Sequence, residues 1–99
     1  MLGGVSIGDR VTLSRGVTIL TAGLDARDYI KNAGKRYRDH VIKDVVIGEG
    51  TWLAANVLVC PGVTIAKNCI IAAGAVVSSN LTEEGCLYGG IPARLIKRL

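Results

Sequence analysis

The chain contains a single histidine, His40, and this residue is the first candidate for proton-transfer chemistry. Imidazole has an ordinary pKa close to neutral pH, so a positioned histidine can take up or release a proton under working conditions. His40 ends a polar stretch, residues 24–40, which carries five Lys or Arg residues and three Asp residues. A non-repetitive stretch of this length inside a compact domain is usually functional. A solvated surface insertion would have the same composition, so both interpretations stay open.

The three cysteines, Cys60, Cys69 and Cys86, are odd in number and do not have the spacing of a metal site. Cys60 and Cys69 occupy places in a repeat that require small side chains. We interpret them as small buried thiols in a reducing compartment, which predicts a cytoplasmic protein. We predict no metal site.

Charge narrows the possible partners only partly. The 99 residues include 12 Lys and Arg and 8 Asp and Glu, which gives a formal net charge of +4. This balance is compatible with nucleic acid or with an anionic cofactor, and does not choose between them. We expect no signal peptide, because no basic segment followed by an apolar run opens the sequence. We also expect no membrane helix, because the longest stretch without a charge, Gly50–Ala66, is short and broken by Pro and Gly.

The elements that must position these residues follow from a period of six between Val41 and Leu81. The first place of each six is aliphatic: Val41, Ile47, Leu53, Val59, Ile65, Ile71 and Val77. The fifth place holds Val45, Thr51, Val57, Val63, Cys69, Ala75 and Leu81. Hexapeptide periods are typical of parallel β-helices, in which three short strands and three corners close one triangular coil. We expect the first-place side chains to fill the interior, and the fifth-place side chains to be small because they lie beside corners. The spacing does not fit the 3.6-residue period of a helix.

We predict one domain with four parts. Residues 1–21 form a first coil in the same register, 22–40 an inserted loop, 41–82 the main hexapeptide coils, and 83–99 a final strand with a basic tail. The final strand is predicted over residues 86–91, and the tail is expected to contain a helical turn. The first coil has no cap before it, so its open strand edges should invite association. Trp52, in the sixth place, should point outward and pack on the loop or on a neighbouring subunit.

A set of motifs then indicates a family. The block IGEGTWLAANVLVCPGVTIAKNCIIAAGAVVSSN, followed by GGIPARLIKRL, resembles the hexapeptide-repeat acyltransferases, and most of all the branch that O-acetylates sugars. The resemblance covers roughly residues 5–99. It implies an all-β, left-handed parallel β-helix with one extruded loop and a short basic C-terminal tail. It also implies a homotrimer, acetyl-CoA as acyl donor in grooves between neighbouring solenoids, and a small-molecule sugar acceptor.

The resemblance also implies roles for individual residues. Trp52, Ala55 and Asn56 match positions that line the thioester end of the groove, and Asn56 and Asp25 are candidates for acceptor binding. The other candidates for binding the cofactor are Ala73 and Gly74 along the pantetheine arm, Ser78 in its path, and Arg94 and Lys97 at the adenosine phosphate. Ser79 stands where many members have Lys. Corner packing would equally account for Ala73 and Gly74, and solvation for Arg94.

The sequence departs from the family at the catalytic base. Leu24 occupies the position where the sugar acetyltransferases carry their His, so His40 is a candidate for the general base, and Asp25 or Asp28 is the alternative. A non-catalytic trimeric scaffold, or a shortened relative without the usual His, is the alternative. A carbonic anhydrase of the same fold would need three His residues and is excluded. Nucleic-acid binding through the loop is disfavoured because no stacking aromatic platform or recognised motif accompanies the basic residues. We expect no nucleic-acid or membrane partner.

Overall fold

The chain is described here by a computed structural model, which covers residues 4–24, 30–31, 33–34 and 40–99. The elements in this part of the chain are short β-strands. They are β1 (Val5–Ile7), β2 (Thr12–Leu13), β3 (Thr18–Ile19), β4 (Ala22–Leu24), β5 (His40–Ile42), β6 (Val45–Ile47), β7 (Trp52–Leu53), β8 (Leu58–Val59), β9 (Thr64–Ile65), β10 (Ile70–Ile71), β11 (Val76–Val77), β12 (Cys86–Gly89) and β13 (Arg94–Arg98). No helix in these residues is long and apolar enough to cross a bilayer.

Nine of these strands form three stacked coils: the first from residues 5–20, the second from 45–60 and the third from 63–78. Each coil contributes one strand to each of three faces. Face A contains β1, β6 and β9; face B contains β2, β7, β10, β12 and β13; face C contains β3, β8 and β11. The pairing between coils is parallel, as in Trp52 with Ile70 and Leu58 with Val76. The predicted triangular β-helix is therefore observed.

Inward and outward side chains alternate along each strand. In β6, Val45 and Ile47 are 0% and 1% exposed, whereas Val46 between them is 40% exposed. Buried side chains of the first and fifth places together form one core. Fifth-place residues directly follow corner residues, as expected, and they are also buried: Val57 and Val63 are 0% and 2% exposed, because alternation turns both places toward the interior.

The corners are made at the fourth place of each hexapeptide. Its φ lies between 56° and 80° at Arg10, Gly16, Gly50, Asn56, Gly62, Asn68 and Gly74. Glycine adopts this left-handed conformation without steric cost, and asparagine does so more readily than most other residues. Asn56 donates its N–H to the Arg15 carbonyl at 3.0 Å, and Gly74 donates to Ala55 at 2.9 Å. Each coil is thus bonded to the next at its corners as well as along its strands.

The insertion leaves the solenoid between the first and second coils. Its two ends pair in antiparallel fashion as β4 and β5, in the register Ala22 with Ile42, Gly23 with Val41 and Leu24 with His40. Val41 therefore belongs to this two-stranded ribbon and not to the first place of a coil. The described repeat resumes at Val45, which pairs with Val5 across the insertion.

The C-terminal part of the chain covers the third coil. β12 continues face B on β10, and β13 turns back to pair with β12 in antiparallel fashion. The helical turn expected in the basic tail is wrong, because β12 offers a free edge whose backbone groups β13 satisfies. Tyr88 is 5% exposed, and its hydroxyl accepts the Glu83 N–H at 3.0 Å. At the other end, Ile7 and Leu13 are 47% and 43% exposed.

Candidate functional site

A ridge of mostly small residues, interrupted by Arg15 and Asn56, runs along the corner between faces B and C. We call it the BC ridge; it comprises residues 14–16, 54–56 and 72–74 of the three coils. Ala55 and Ala73 occupy the same place in successive coils, and the Gly74 N–H donates to the Ala55 carbonyl. Ala73 and Gly74 are exposed, and nothing lies within 4 Å of the position that a Cβ on Gly74 would take. The third-coil end of the ridge is therefore open to solvent.

Trp52 stands on face B beside this ridge. Its side chain points outward, as predicted, and remains 43% exposed. The indole Nε1–H donates a hydrogen bond to Ser14 Oγ in the first coil at 2.8 Å. Packing of Trp52 on the loop or on another subunit stays a prediction, because residues 25–29 lie outside the described part of the chain.

Asn56 has a structural role within the ridge. Its φ is 62°, and its side-chain Oδ1 lies where a Cβ on Gly16 would be. The residue is exposed, so a role in acceptor binding stays a prediction alongside this corner contact. Asp25, the other candidate for acceptor binding, lies outside the described residues.

The basic residues of the tail lie on β13, at the edge of face B. Arg94 pairs with Gly89 and Lys97 with Leu87, and both cations are exposed. The turn before β13 is tied to the third coil, because Ala93 donates its N–H to the Val76 carbonyl at 2.8 Å. Arg94 is therefore held just beyond the last coil of the BC ridge.

His40 and Ser78 lie at the opposite corner, between faces C and A. His40 is exposed at the start of β5, which pairs with β4 at this corner and leads from the insertion into the second coil. It stands directly opposite Leu24 in the antiparallel ribbon. Ser78 follows β11 at the same corner of the third coil. Within one chain, the structure thus groups Trp52, Ala55, Ala73, Gly74 and the tail on one side, and does not bring His40 or Ser78 to them.

Two further residues belong to the BC ridge although no motif singles them out. Ser14 bonds the indole of Trp52, and Arg15 accepts the Asn56 N–H through its carbonyl. The period of six places residues 14 and 15 in the same slots as residues 54 and 55. The period of six could therefore have placed Ser14 and Arg15 on the ridge. The hydrogen bond to Trp52 depends on a rotamer that the sequence does not specify.

The cysteines lie apart from the BC ridge. Cys69 and Cys86 are fully buried, and burial raises the pKa of the Cys69 thiol. Cys69 Sγ donates to the Glu83 carbonyl at 3.3 Å. Among the described residues, no group of three His, Cys, Asp or Glu side chains could hold a metal ion.

Comparisons with known proteins agree with this geometry. The family model described as bacterial transferase hexapeptide (six repeats) matches residues 44–79. Galactoside O-acetyltransferase of Escherichia coli (strain K12) is 30% identical over 95 residues, covering 96% of this chain and 44% of that protein. Residues 44–79 therefore match the hexapeptide repeat, and the chain is similar to a galactoside O-acetyltransferase.

Solved structures show the same likeness. A maltose O-acetyltransferase from Clostridium difficile 630 superposes with a TM-score of 0.82 at 33% identity, covering 96% of this chain and 48% of that one. A hexapeptide-repeat acetyltransferase from Vibrio cholerae O1 biovar eltor, complexed with acetyl coenzyme A, gives 0.82 at 31% identity, with 96% and 49% covered. The predicted fold class, a left-handed parallel β-helix, is confirmed. The chain spans about half the length of these relatives.

Proposed function

We propose that this chain belongs to an acetyl-CoA-dependent O-acetyltransferase that acts on a hydroxyl of a sugar or a polysaccharide precursor. The observation that carries the proposal is the register of the β4–β5 ribbon, in which His40 stands opposite Leu24. Position 24 is where the sugar acetyltransferases that the sequence resembles carry their His. Because directly opposed residues of an antiparallel pair project to the same side, about 5 Å apart, His40 can act close to that position.

The chemistry assigns separate tasks to separate residues. Acetyl-CoA supplies the acetyl group as a thioester. Trp52, Ala55, Ala73 and Gly74, together with Ser78 of a neighbouring copy of the chain, are the proposed contacts of its acyl and pantetheine portions, and Arg94 and Lys97 offer charged donors to its phosphates. His40 takes the proton of the acceptor hydroxyl as oxygen attacks the thioester carbon, and returns it to the leaving sulfur. Backbone N–H groups near the ridge would stabilise the oxyanion.

We also propose that the site is completed by a second copy of the chain in a homotrimer. Two observations support this assembly. His40 and the BC ridge lie on different corners of one chain, so one chain does not unite base and cofactor groove. Large apolar side chains beside the ridge are exposed, among them Trp52 at 43% and Ile96 at 57%. Light scattering of the purified chain should give three times the mass of 10.4 kDa; a monomer would overturn the assembly.

The cofactor role is tested first, by calorimetric titration with acetyl-CoA. We expect one site per chain, and weaker binding in Arg94→Ala because a phosphate loses a charged partner. Arg98→Ala is the matched control: it lies on the same strand, and its guanidinium faces Glu83 at 3.9 Å. A folded trimer that does not bind acetyl-CoA would overturn the proposed enzyme and favour the scaffold. Equal weakening in both variants would point to general charge and not to a contact of Arg94.

The base is tested by a reciprocal pair of variants in an acceptor screen. His40→Ala should lower turnover by about 10²- to 10⁴-fold, the usual contribution of a general base, and leave acetyl-CoA affinity unchanged. Adding Leu24→His to His40→Ala should restore part of the activity, because the two positions are opposed in the ribbon. Undiminished turnover in His40→Ala would remove His40 from the mechanism.

The three cysteines bear on where the protein works in the cell. We propose that the protein works in the cytoplasm, since its three cysteines are free thiols and a reducing compartment keeps thiols in that state. Fractionation of the expressing cells would test it, and recovery of the protein outside the cytoplasm would overturn it.

A further inference from the structure

We propose that Ser14 is a positioning residue, which holds the indole of Trp52 in the orientation that receives the acetyl end of the cofactor. The inference rests on the proposed function. It adds that the first coil, which carries none of the family motifs, takes part in building the site.

The contact is direct and its partners are fixed. Trp52 Nε1–H donates to Ser14 Oγ at 2.8 Å. The bond joins the first and second coils, whose strands β2 and β7 pair with Thr12 opposite Trp52. A tryptophan side chain has two rotatable bonds, and a hydrogen bond at its far end restrains both. Because Trp52 is 43% exposed, packing alone leaves the indole partly free, and this bond restrains its orientation.

Ser14 is itself held on a rigid corner. Its N–H donates to the Leu53 carbonyl at 3.0 Å, and its own carbonyl accepts the Val17 N–H at 3.4 Å. Two places further on, Gly16 has φ 75° and lies under the Asn56 side chain. Its backbone hydrogen bonds to Leu53 and Val17 therefore hold the serine in place, as a positioning group requires.

The same register aims the indole at the BC ridge. Ser14 and Ala54 occupy the same place in successive coils, and the Ser14 N–H bonds to the residue just before Ala54. The indole of Trp52 thus reaches along face B to Ser14, at the first-coil end of the ridge. In the proposed mode of binding, the acetyl group lies there and the adenosine phosphates lie at the far end near Arg94. Ser14 should therefore affect recognition of the acetyl end and not of the phosphates.

Trp52 is the only tryptophan of the chain, so its spectra report this contact without interference. We would compare wild type, Ser14→Ala, Ser14→Thr and, as matched control, Ser6→Ala, which removes a hydroxyl from face A of the same coil. Near-ultraviolet circular dichroism reports the fixed indole, and quenching of its fluorescence gives affinities for acetyl-CoA and for CoA.

We expect Ser14→Ala to weaken the tryptophan circular dichroism and to reduce the preference for acetyl-CoA over CoA by about threefold to tenfold, the range for one lost hydrogen bond. Ser14→Thr keeps the hydroxyl and should retain both properties, and Ser6→Ala should match wild type. If Ser14→Ala leaves the tryptophan circular dichroism and the preference for acetyl-CoA unchanged, the role of Ser14 is overturned and the proposed function is not. Equal loss in Ser14→Thr and Ser14→Ala overturns that role too. Wild-type protein that binds neither ligand overturns the proposed function, and the role of Ser14 in the reaction with it.

Discussion

Asn56 lies directly over Gly16 at the BC ridge, with its side-chain oxygen in the space that a Cβ on Gly16 would need. Both residues have a left-handed backbone, at φ 62° and 75°. Asn56 and Gly16 therefore form a close contact between successive coils, and each residue limits the space available to the other. The same arrangement recurs between Asn68 and Gly50 at the corner of faces A and B.

This pairing predicts that Gly16→Ala is more damaging than Gly74→Ala. Gly74 has nearly the same φ, 74°, but a Cβ there meets nothing within 4 Å, so its replacement should cost only the backbone term, about 1–2 kcal/mol. Gly16→Ala should cost about 1–3 kcal/mol more, because the new methyl group collides with Asn56. Adding Asn56→Gly should recover the excess in a double-mutant cycle measured by urea unfolding. Equal costs for the two glycines would contradict the contact.

The alternation in β6 predicts opposite outcomes for neighbouring residues. Ile47 is 1% exposed in the core, so Ile47→Ala should lower the free energy of unfolding by about 2–5 kcal/mol. Val46 is 40% exposed on face A, so Val46→Ala should cost less than about 1 kcal/mol. Denaturant unfolding of both variants checks this. Similar losses at the two positions would mean that face A is covered.

Burial of Cys69 predicts a loss of stability at alkaline pH. The pKa of its thiol is raised, first by desolvation, so the folded chain binds this proton more tightly than the unfolded chain does. The contribution is complete below the unfolded thiol pKa, about 8.5, and is lost as pH rises through the raised folded value. Urea unfolding of the reduced protein from about pH 7.5 to about pH 10 should show the fall. Cys69→Ala should show a shallower fall, and an identical slope would contradict the assignment.

Exposure predicts that the three thiols react at different rates. Cys60 is half-buried, whereas Cys69 and Cys86 are 0% exposed. A thiol reagent needs access to the thiolate, so native protein should label rapidly at Cys60 alone, and all three thiols should react in denaturant. Cys60→Ser is the control and should remove the fast phase. A second fast thiol in the native protein would show that the core opens locally.

The period of six made the architecture predictable. Apolar residues six apart cannot line one side of a helix, and they can be buried together only when coils of short strands stack. The outward direction of Trp52 followed from the same register. The corner residues were visible too, because Gly50, Gly62 and Gly74 recur every twelve residues with Asn56 and Asn68 between them. Burial at the fifth place was predicted only for Cys69, since the mixture of Val, Thr, Cys and Ala looks like a requirement for small size alone.

The remaining features depend on contacts between residues that are distant in the sequence. Residues 94–98 form a strand and not a helical turn because they pair with the free edge of β12. The local sequence does not indicate that edge. The opposition of Leu24 and His40 depends on how the two ends of the insertion pair. The bond from Trp52 to Ser14 needs a particular rotamer on a particular coil.

The sequence by itself determined the hexapeptide solenoid, its inward first place and the set of candidate residues, because a strict period leaves one way to bury its apolar positions. Only the tertiary structure decided which candidates share a corner. It placed Trp52 beside Ser14 and Ala55 of the BC ridge, and it placed His40 on another corner. The physical reason is that stacking and edge pairing, which bring distant segments together, are set by the whole fold and not by any local pattern.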